Sequence, residues 1–171
     1  MKATWINTPV GQMMVIADED GLYLLEFVNP SGVKKNIERQ IETLCHKMQR
    51  EILLGTNKPI VQIERELNEY FAGKRLHFET PLHLLGSPFQ KEVWNELLRI
   101  SYGTTRSYVD LAKSINKPTA FRAVANANGA NPLAIVIPCH RVIHHDGRLG
   151  GYGGGIERKK SLIDHEAKYR D

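Results

Sequence analysis

The chain of 171 residues has two cysteines only, Cys45 and Cys139, and both its aromatic content (8%) and its net charge (+4) are modest. Two thiols cannot build a disulfide framework, and a reducing compartment keeps both reduced. Nowhere does the sequence hold the roughly eighteen consecutive apolar residues of a membrane-spanning helix. The opening MKATWINTPVG lacks the apolar stretch of a secretion signal, so the cytoplasm is the expected location and no membrane partner is expected. Short metal-ligand spacings are lacking as well. Cys45-His46 and Cys139-His140 repeat a dipeptide, but nothing resembling a structural zinc spacing accompanies them, and Asp18 and Asp20 beside Gly21 read as turn chemistry, so no metal is expected.

What the chain does have is a hydrophobic fraction of 42%, enough for a packed core in one ordinary domain or two small ones. Its charge is unevenly spread. Residues 1–86 carry 10 Lys/Arg against 11 Asp/Glu, whereas residues 87–171 carry 13 against 8, local balances of −1 and +5. Such asymmetry fits a polyanionic partner for the second half, and equally fits a merely basic surface.

Alternating apolar residues in TWINT, QMMVIA and LYLLEFV, separated by Pro9-Val10-Gly11 and Asp18-Glu19-Asp20-Gly21, predict an antiparallel meander over residues 4–28. From Val33 to about Leu53, Ile37, Ile41, Leu44 and Met48 recur at helical spacing, with Cys45 beside the apolar face. Residues 58–72 repeat the pattern with Ile60, Ile63, Leu67, Tyr70 and Phe71 inward, and Gly73 stands where a C-terminal cap belongs. An extended link follows, and a boundary near Leu85-Gly86 divides the chain into domains of residues 1–85 and 86–171.

Ser87-Pro88-Phe89-Gln90 starts a helix with serine as cap, proline in the first turn and glutamine completing a capping box. Phe89, Val93, Leu97 and Ile100, with Trp94, form its buried stripe. Ser107 opens another helix with Asp110 at its third position, carrying Tyr108 and Leu111, and Thr119 is expected to cap the next, which runs to about Ala127. Two short helices joined in this way fit a helix-turn-helix, although ordinary helical hairpins look the same. On the second of them Phe121 and Val124 are expected inward and Arg122 and Asn126 on one exposed face. Ala120, Ala123, Ala125 and Ala127 keep that helix slim. A bulky partner can therefore come close, but there is little with which to read bases, so contacts to shape and phosphate are expected.

Leu133 to Ile143, LAIVIPCHRVI, places a thiol at the end of an apolar run. Five apolar residues without alternation predict a strand covered on both sides, and Pro138 stops it because it has no N–H to donate. A lone cysteine beside such a run is more often packing than chemistry. Here His140 and Arg141 offer the base and the positive charge that a thiol of ordinary pKa, about 8.5, needs to become a nucleophile at neutral pH. In an extended chain His140 and Cys139 point to opposite faces, so a bent backbone or a bridging water is required. Asn131, before Pro132, can bond neighbouring backbone to hold a turn. Gly150-Gly151-Tyr152-Gly153-Gly154-Gly155 lacks the lysine of a phosphate loop and better suits closure on a planar ligand, and a last helix from Glu157 to about Tyr169 presents Leu162, Ile163 and Glu166.

Taken together, Arg122-Ala123-Val124, Asn131-Pro132, Pro138-Cys139-His140-Arg141-Val142, Gly150, Tyr152, Gly154-Gly155 and His165-Glu166 resemble the O6-alkylguanine-DNA alkyltransferases over residues 87–171, and Tyr70-Phe71-Ala72-Gly73 extends the likeness more loosely. The resemblance implies an α+β fold: a small N-terminal antiparallel sheet with helices, ribonuclease H-like, and a mainly helical C-terminal domain with a winged-helix-like helix-turn-helix. It implies irreversible transfer of a methyl or other alkyl group from guanine O6, or thymine O4, in double-stranded DNA to Cys139. His140 is then the base acting through a water, Glu166 its orienting partner, Asn131 a hinge, and Tyr108 the proton donor to the departing base. Arg122 fills the space of the flipped nucleotide, with Thr119, Ala120, Ala123, Asn126 and Ala127 along the DNA. Carbonyls of Cys139 and Val142, the Gly153 N–H and the Tyr152 hydroxyl hold the guanine beside Gly154. A monomer without cofactor is expected. Relatives often carry serine or alanine where Gly153 stands, which should loosen the pocket. Two other classes stay open: a Cys-His hydrolase, which needs an oxyanion hole, and a non-catalytic helix-turn-helix DNA binder.

Overall fold

The computed structural model describes residues 1–28 and 34–170, with side chains from residue 37 onward in the second stretch. The chain forms two compact units, Met1–His83 and Leu84–Asp171.

In the first unit β1 (Lys2–Thr8), β2 (Gly11–Ala17) and β3 (Leu22–Phe27) form the expected meander, pairing antiparallel in turn. Gly11 at φ 130° makes the first turn, where the Thr8 hydroxyl donates to the Gly11 carbonyl at 2.6 Å. Met13, Val15, Ile16 and Ala17 of the central strand are fully buried. α1 (Lys34–Met48) follows, and it stops short of the expected Leu53 because Leu53–Leu54 forms β4, a parallel edge strand on β1. Val33 lies outside the described residues.

α2 (Lys58–Phe71) begins at Asn57, whose side chain accepts from the Ile60 N–H at 3.2 Å. It ends at Gly73, whose φ of 74° lets the Gly73 and Lys74 N–H groups bond the Tyr70 and Glu69 carbonyls. Two buried carboxylates fasten the irregular segments. Glu66 accepts from the Glu79 and Thr80 N–H groups and from the Thr80 hydroxyl, holding the extended link. Asp18 accepts from the Asp20 and Gly21 N–H groups, the Tyr23 hydroxyl and Arg50, and pairs with His83 at 3.0 Å. Burial opposes its charge, but these bonds hold its carboxyl well below the usual range.

In the second unit α3 (Pro88–Leu97) carries the full capping box: Ser87 accepts from the Gln90 N–H and the Gln90 side chain accepts from the Ser87 N–H. Val93, Trp94, Leu97 and Ile100 are buried, while Phe89 is half-buried. β5 (Arg106–Ser107) leads into α4 (Tyr108–Ser114), where Ser107 caps the Asp110 N–H at 3.0 Å. α5 (Phe121–Gly129) packs on α3 and α4, and the Trp94 indole donates to the Ala127 carbonyl at 2.8 Å. β6 (Val142–Ile143) pairs parallel with β5, and α6 (Ile156–Tyr169) closes the unit.

Three expectations need correction. Thr119 does not cap α5: the cap position is Ala120, without a side-chain bond, because the helix starts one residue late. Phe121 is 42% exposed rather than inward, since a first-turn residue has no preceding turn to cover it. Leu133–Ile137 is buried as expected but is not a strand. It coils into tight turns, with Val136 N–H on the Ala134 carbonyl and Ile137 N–H on the Leu133 carbonyl, and Ile135 sits at φ 71°. A left-handed β-branched residue costs about 1–3 kcal/mol and persists only where its surroundings over-determine it. The determinant here is Asn131, whose side chain accepts from the Leu133 N–H at 2.9 Å and donates to the Ile137 carbonyl at 2.8 Å.

Candidate active site

The second unit gathers its buried polar side chains around the 3₁₀ turn Cys139–Arg141, which follows directly from the braced coil. In such a turn successive side chains project about 120° apart instead of to opposite faces. Cys139 and His140 are thereby free of the geometry that an extended chain would impose. Cys139 is 6% exposed, and the Asn131 Nδ2 that holds the Ile137 carbonyl lies 3.1 Å from its Sγ. An N–H donor at this distance favours the thiolate over the thiol.

His140 is fully buried, with Nε2 2.7 Å from Glu166 Oε1. Arg141, also buried, donates from Nε to Glu166 Oε2 at 2.8 Å and from Nη2 to Oε1 at 2.9 Å, while its Nη1 donates to the Ile100 carbonyl. Burial alone would raise the Glu166 carboxyl; hydrogen bonds from His140 and Arg141 override it and hold the group well below the usual carboxylate range. Burial pushes the His140 imidazole below its ordinary value despite Glu166, with the Arg141 charge adding to the push. The pair is therefore a carboxylate and a neutral imidazole. Facing an anion, Nε2 carries the proton, which leaves Nδ1 as an acceptor. That atom is buried and has no hydrogen-bond partner among the described residues.

Lys159 on α6 is fully buried, which brings its pKa down to about 8. Its ammonium donates to the Gly151 carbonyl at 3.2 Å and stands 5.8 Å from the centroid of the Tyr108 ring. Burial, and the nearby Cys139, raise the Tyr108 phenol. A Cβ at Gly150, which has φ 73°, would lie 3.1 Å from the Tyr108 oxygen and 3.2 Å from His144 Nε2, so glycine there permits the close packing of these rings.

The structure thus pairs Asn131 with Cys139 and His140 with Glu166, on adjoining residues of the 3₁₀ turn. Tyr108 lies beside Lys159 and His144. Thr119, Arg122, Ala123 and Asn126 share the exposed side of the helix pair, and Ala120 is half-buried. Ala127, expected along the DNA, faces inward at 3% exposure because α3 packs against it. Val142 is buried, and its N–H is spent on the Cys139 carbonyl, which also receives Asn128 Nδ2 at 3.4 Å. Tyr152 and Gly154 are half-buried; Gly153 is exposed, and a Cβ there would meet nothing within 4 Å. Asn128 and Lys159 escaped the sequence reading as members of this site, as did the pairing of Arg141 with Glu166. Only Lys159 left a signal: with Leu162 and Glu166 it falls on the inward stripe of α6, where a lysine is out of place.

Comparison with known proteins bears on both units. Residues 1–84 match the family described as 6-O-methylguanine DNA methyltransferase, ribonuclease-like domain, and residues 88–168 match its DNA binding domain. A methylated-DNA–protein-cysteine methyltransferase of Methanosarcina barkeri is 41% identical over 94% of this chain and 94% of its own length. The inducible enzyme of that name from Bacillus subtilis is 43% identical over 78% of this chain and 75% of its own. The crystal structure of Mycobacterium tuberculosis OGT in complex with DNA superposes with a TM-score of 0.84 at 35% identity, covering 99% of this chain and 94% of that one. The fold is α+β, a ribonuclease-like domain followed by a DNA-binding domain. The chain belongs to the methylated-DNA–protein-cysteine methyltransferase family. No helix of the described residues is long and apolar enough to cross a membrane.

Proposed function

We propose that this protein repairs DNA in the cytoplasm, as a monomer, by taking an alkyl group from O6 of guanine onto Cys139, once per molecule. The observation that carries the reading is two contacts on adjoining residues, Asn131 with Cys139 and His140 with Glu166, which supply a donor to the sulfur and leave Nδ1 as an acceptor for its proton. The alkyl carbon is hidden in stacked duplex, so the nucleotide must first leave the stack, at a cost of a few kcal/mol. Arg122, exposed on α5, would fill the gap, and Thr119, Ala123 and Asn126 would line the minor groove beside it.

The chemistry balances without a cofactor. Sulfur forms a bond to the alkyl carbon as the carbon–O6 bond breaks. The thiol proton passes to His140 Nδ1 through a water, and Tyr108 gives a proton to the departing guanine. Return of the first proton to the phenolate restores both residues. Lys159 beside the Tyr108 ring favours the transient phenolate. The thioether has no good leaving group, so the sulfur is not regenerated. Tyr152, Gly153 and the Val142 carbonyl are the groups we assign to the guanine, since the Cys139 carbonyl already accepts from the Val142 N–H and Asn128, and the open space at Gly153 favours a roomy pocket.

The test is intact mass after incubation with duplex containing O6-methylguanine. One methyl on the peptide holding Cys139, and none on a Cys139→Ser variant that still binds the duplex, is the expected result. Repeated turnover would point to a hydrolase, and binding without any adduct to a regulator; either defeats the proposal.

A further inference from the structure

The fold gives no account of the aromatic ring at the start of α5. Phe121 is 42% exposed, whereas Val124, one turn on, is fully buried. Its neighbours on the outward side are small or polar: Thr119, Arg122, Ala123, Asn126 and Gly129. A phenyl ring left in water forgoes the free energy that burial would return, so in the isolated protein its place here has no benefit. The ring does not stand alone. The Arg122 guanidinium lies 6.0 Å from its centroid, which puts a cation and an apolar plate side by side at the leading end of the helix. Among the described residues Phe121 is the one large apolar side chain exposed on α5, too small a patch for the core of a protein interface.

We propose that Phe121 is a wedge: in the complex it enters the minor groove beside Arg122 and packs against the base stack where the target nucleotide has left it. The inference rests on the function proposed above and deepens it, since two side chains then hold the duplex open instead of one. Minor-groove proteins insert apolar side chains between base steps and so offset the cost of unstacking. Every base offers a π-face, so a phenyl ring can fill such a gap whatever the sequence. The slim surface around Ala120, Ala123 and Gly129 lets the helix come close enough for the ring to reach. Arg122 meets the hydrogen-bonding groups and the negative potential of the groove, while Phe121 supplies the apolar contact that a guanidinium cannot.

The experiment compares single-turnover alkyl uptake from duplex O6-methylguanine with uptake from O6-benzylguanine supplied as the free base, in the full chain. Because Phe121 is exposed, Phe121→Ala should fold as the parent does. It is expected to lose about tenfold in rate on duplex and nothing on the free base. Phe121→Trp should keep the duplex rate and show indole quenching on binding duplex beyond that of the parent. A Phe121→Ala rate on duplex within about twofold of the parent would overturn the wedge, as would equal loss on both substrates. A parent that takes no alkyl group from either substrate would instead defeat the function itself.

Discussion

Glutamine in place of Glu166 removes one negative charge with almost no change in volume, and its consequences can be worked from the bonds around it. Two residues less than a tenth exposed meet it there: His140 at 2.7 Å and Arg141 at 2.8 and 2.9 Å. In Glu166→Gln the Arg141 guanidinium keeps the Ile100 carbonyl but loses its counter-charge, and leaving one member of a buried pair alone costs about 3–5 kcal/mol. The imidazole loses the anion that fixes the proton on Nε2. An amide that turns its NH2 toward the ring drives the proton to Nδ1, where it blocks uptake of another from sulfur. General-base assistance is worth about 10²–10⁴-fold, and a loss of that size is expected in single-turnover methyl uptake at neutral pH. Raising the pH toward the ordinary thiol value, about 8.5, should recover part of the rate, because solvent then removes the proton. For stability the sign is that of a depressed acid: the Glu166 contribution is present above the ordinary carboxylate pKa and is lost as pH falls through the lower folded value, so urea unfolding should separate parent and variant at pH 7 and bring them together only in strong acid. A variant with the parental rate and with stability within about 0.5 kcal/mol of the parent would refute the reasoning.

Asn131→Asp keeps the side chain's shape and the bond from the Leu133 N–H, loses the bond to the Ile137 carbonyl, and sets a carboxylate 3.1 Å from the sulfur. Like charge disfavours the thiolate, so the pH profile of Cys139 alkylation by iodoacetamide should move up by about one unit or more; an unmoved profile would contradict the donor role. Glu26 on β3 is pushed up to about 8 by burial, so the folded protein stays protonated there while the unfolded chain ionises. Its effect on stability is nil below the ordinary value and grows more unfavourable as pH rises toward 8, at about 1.4 kcal/mol per unit. Glu26→Gln should therefore match the parent in urea at pH 4 and exceed it by a few kcal/mol at pH 8. Arg122→Ala is expected to slow uptake from duplex and to flatten the salt dependence of binding, leaving the free-base reaction unchanged; equal loss on both substrates would remove its role in flipping.

Elements whose signals are local were legible. Ser87, Ser107 and Gly73 act on N–H groups or carbonyls within a turn of themselves, and the meander declares itself by alternation; each is where the sequence places it. The coil at Leu133–Ile137 was misread because an apolar run without alternation reports burial on every side and says nothing of backbone path. What decides the path is one amide at Asn131, bonded across six residues to Ile137. Phe121 was misassigned by period alone, which ignores how little covers a first turn. In the site, Cys139 and His140 were legible in the apolar run that stops at Pro138, the role of Glu166 came from the family pattern, and the structure adds the contacts Asn131–Cys139 and His140–Glu166. Arg141 was read as a positive charge for the thiol, and its bond to Glu166, 25 residues away, is what the local sequence does not show. Lys159 is a long cation at a core position, which a hydrophobic pattern discounts as a defect in the stripe.

Asn131 does two things with one NH2 group, steadying the sulfur and pinning the coil that forces Ile135 left-handed. Once the sulfur is a thioether, it accepts a hydrogen bond poorly and brings an extra carbon to a side chain that is only 6% exposed. Crowding of that kind costs about 1–3 kcal/mol, enough to multiply the unfolded fraction roughly 5- to 160-fold. Spent copies should thus differ from unspent ones in lifetime as well as in mass, and proteases that sample unfolded chains would clear the former first.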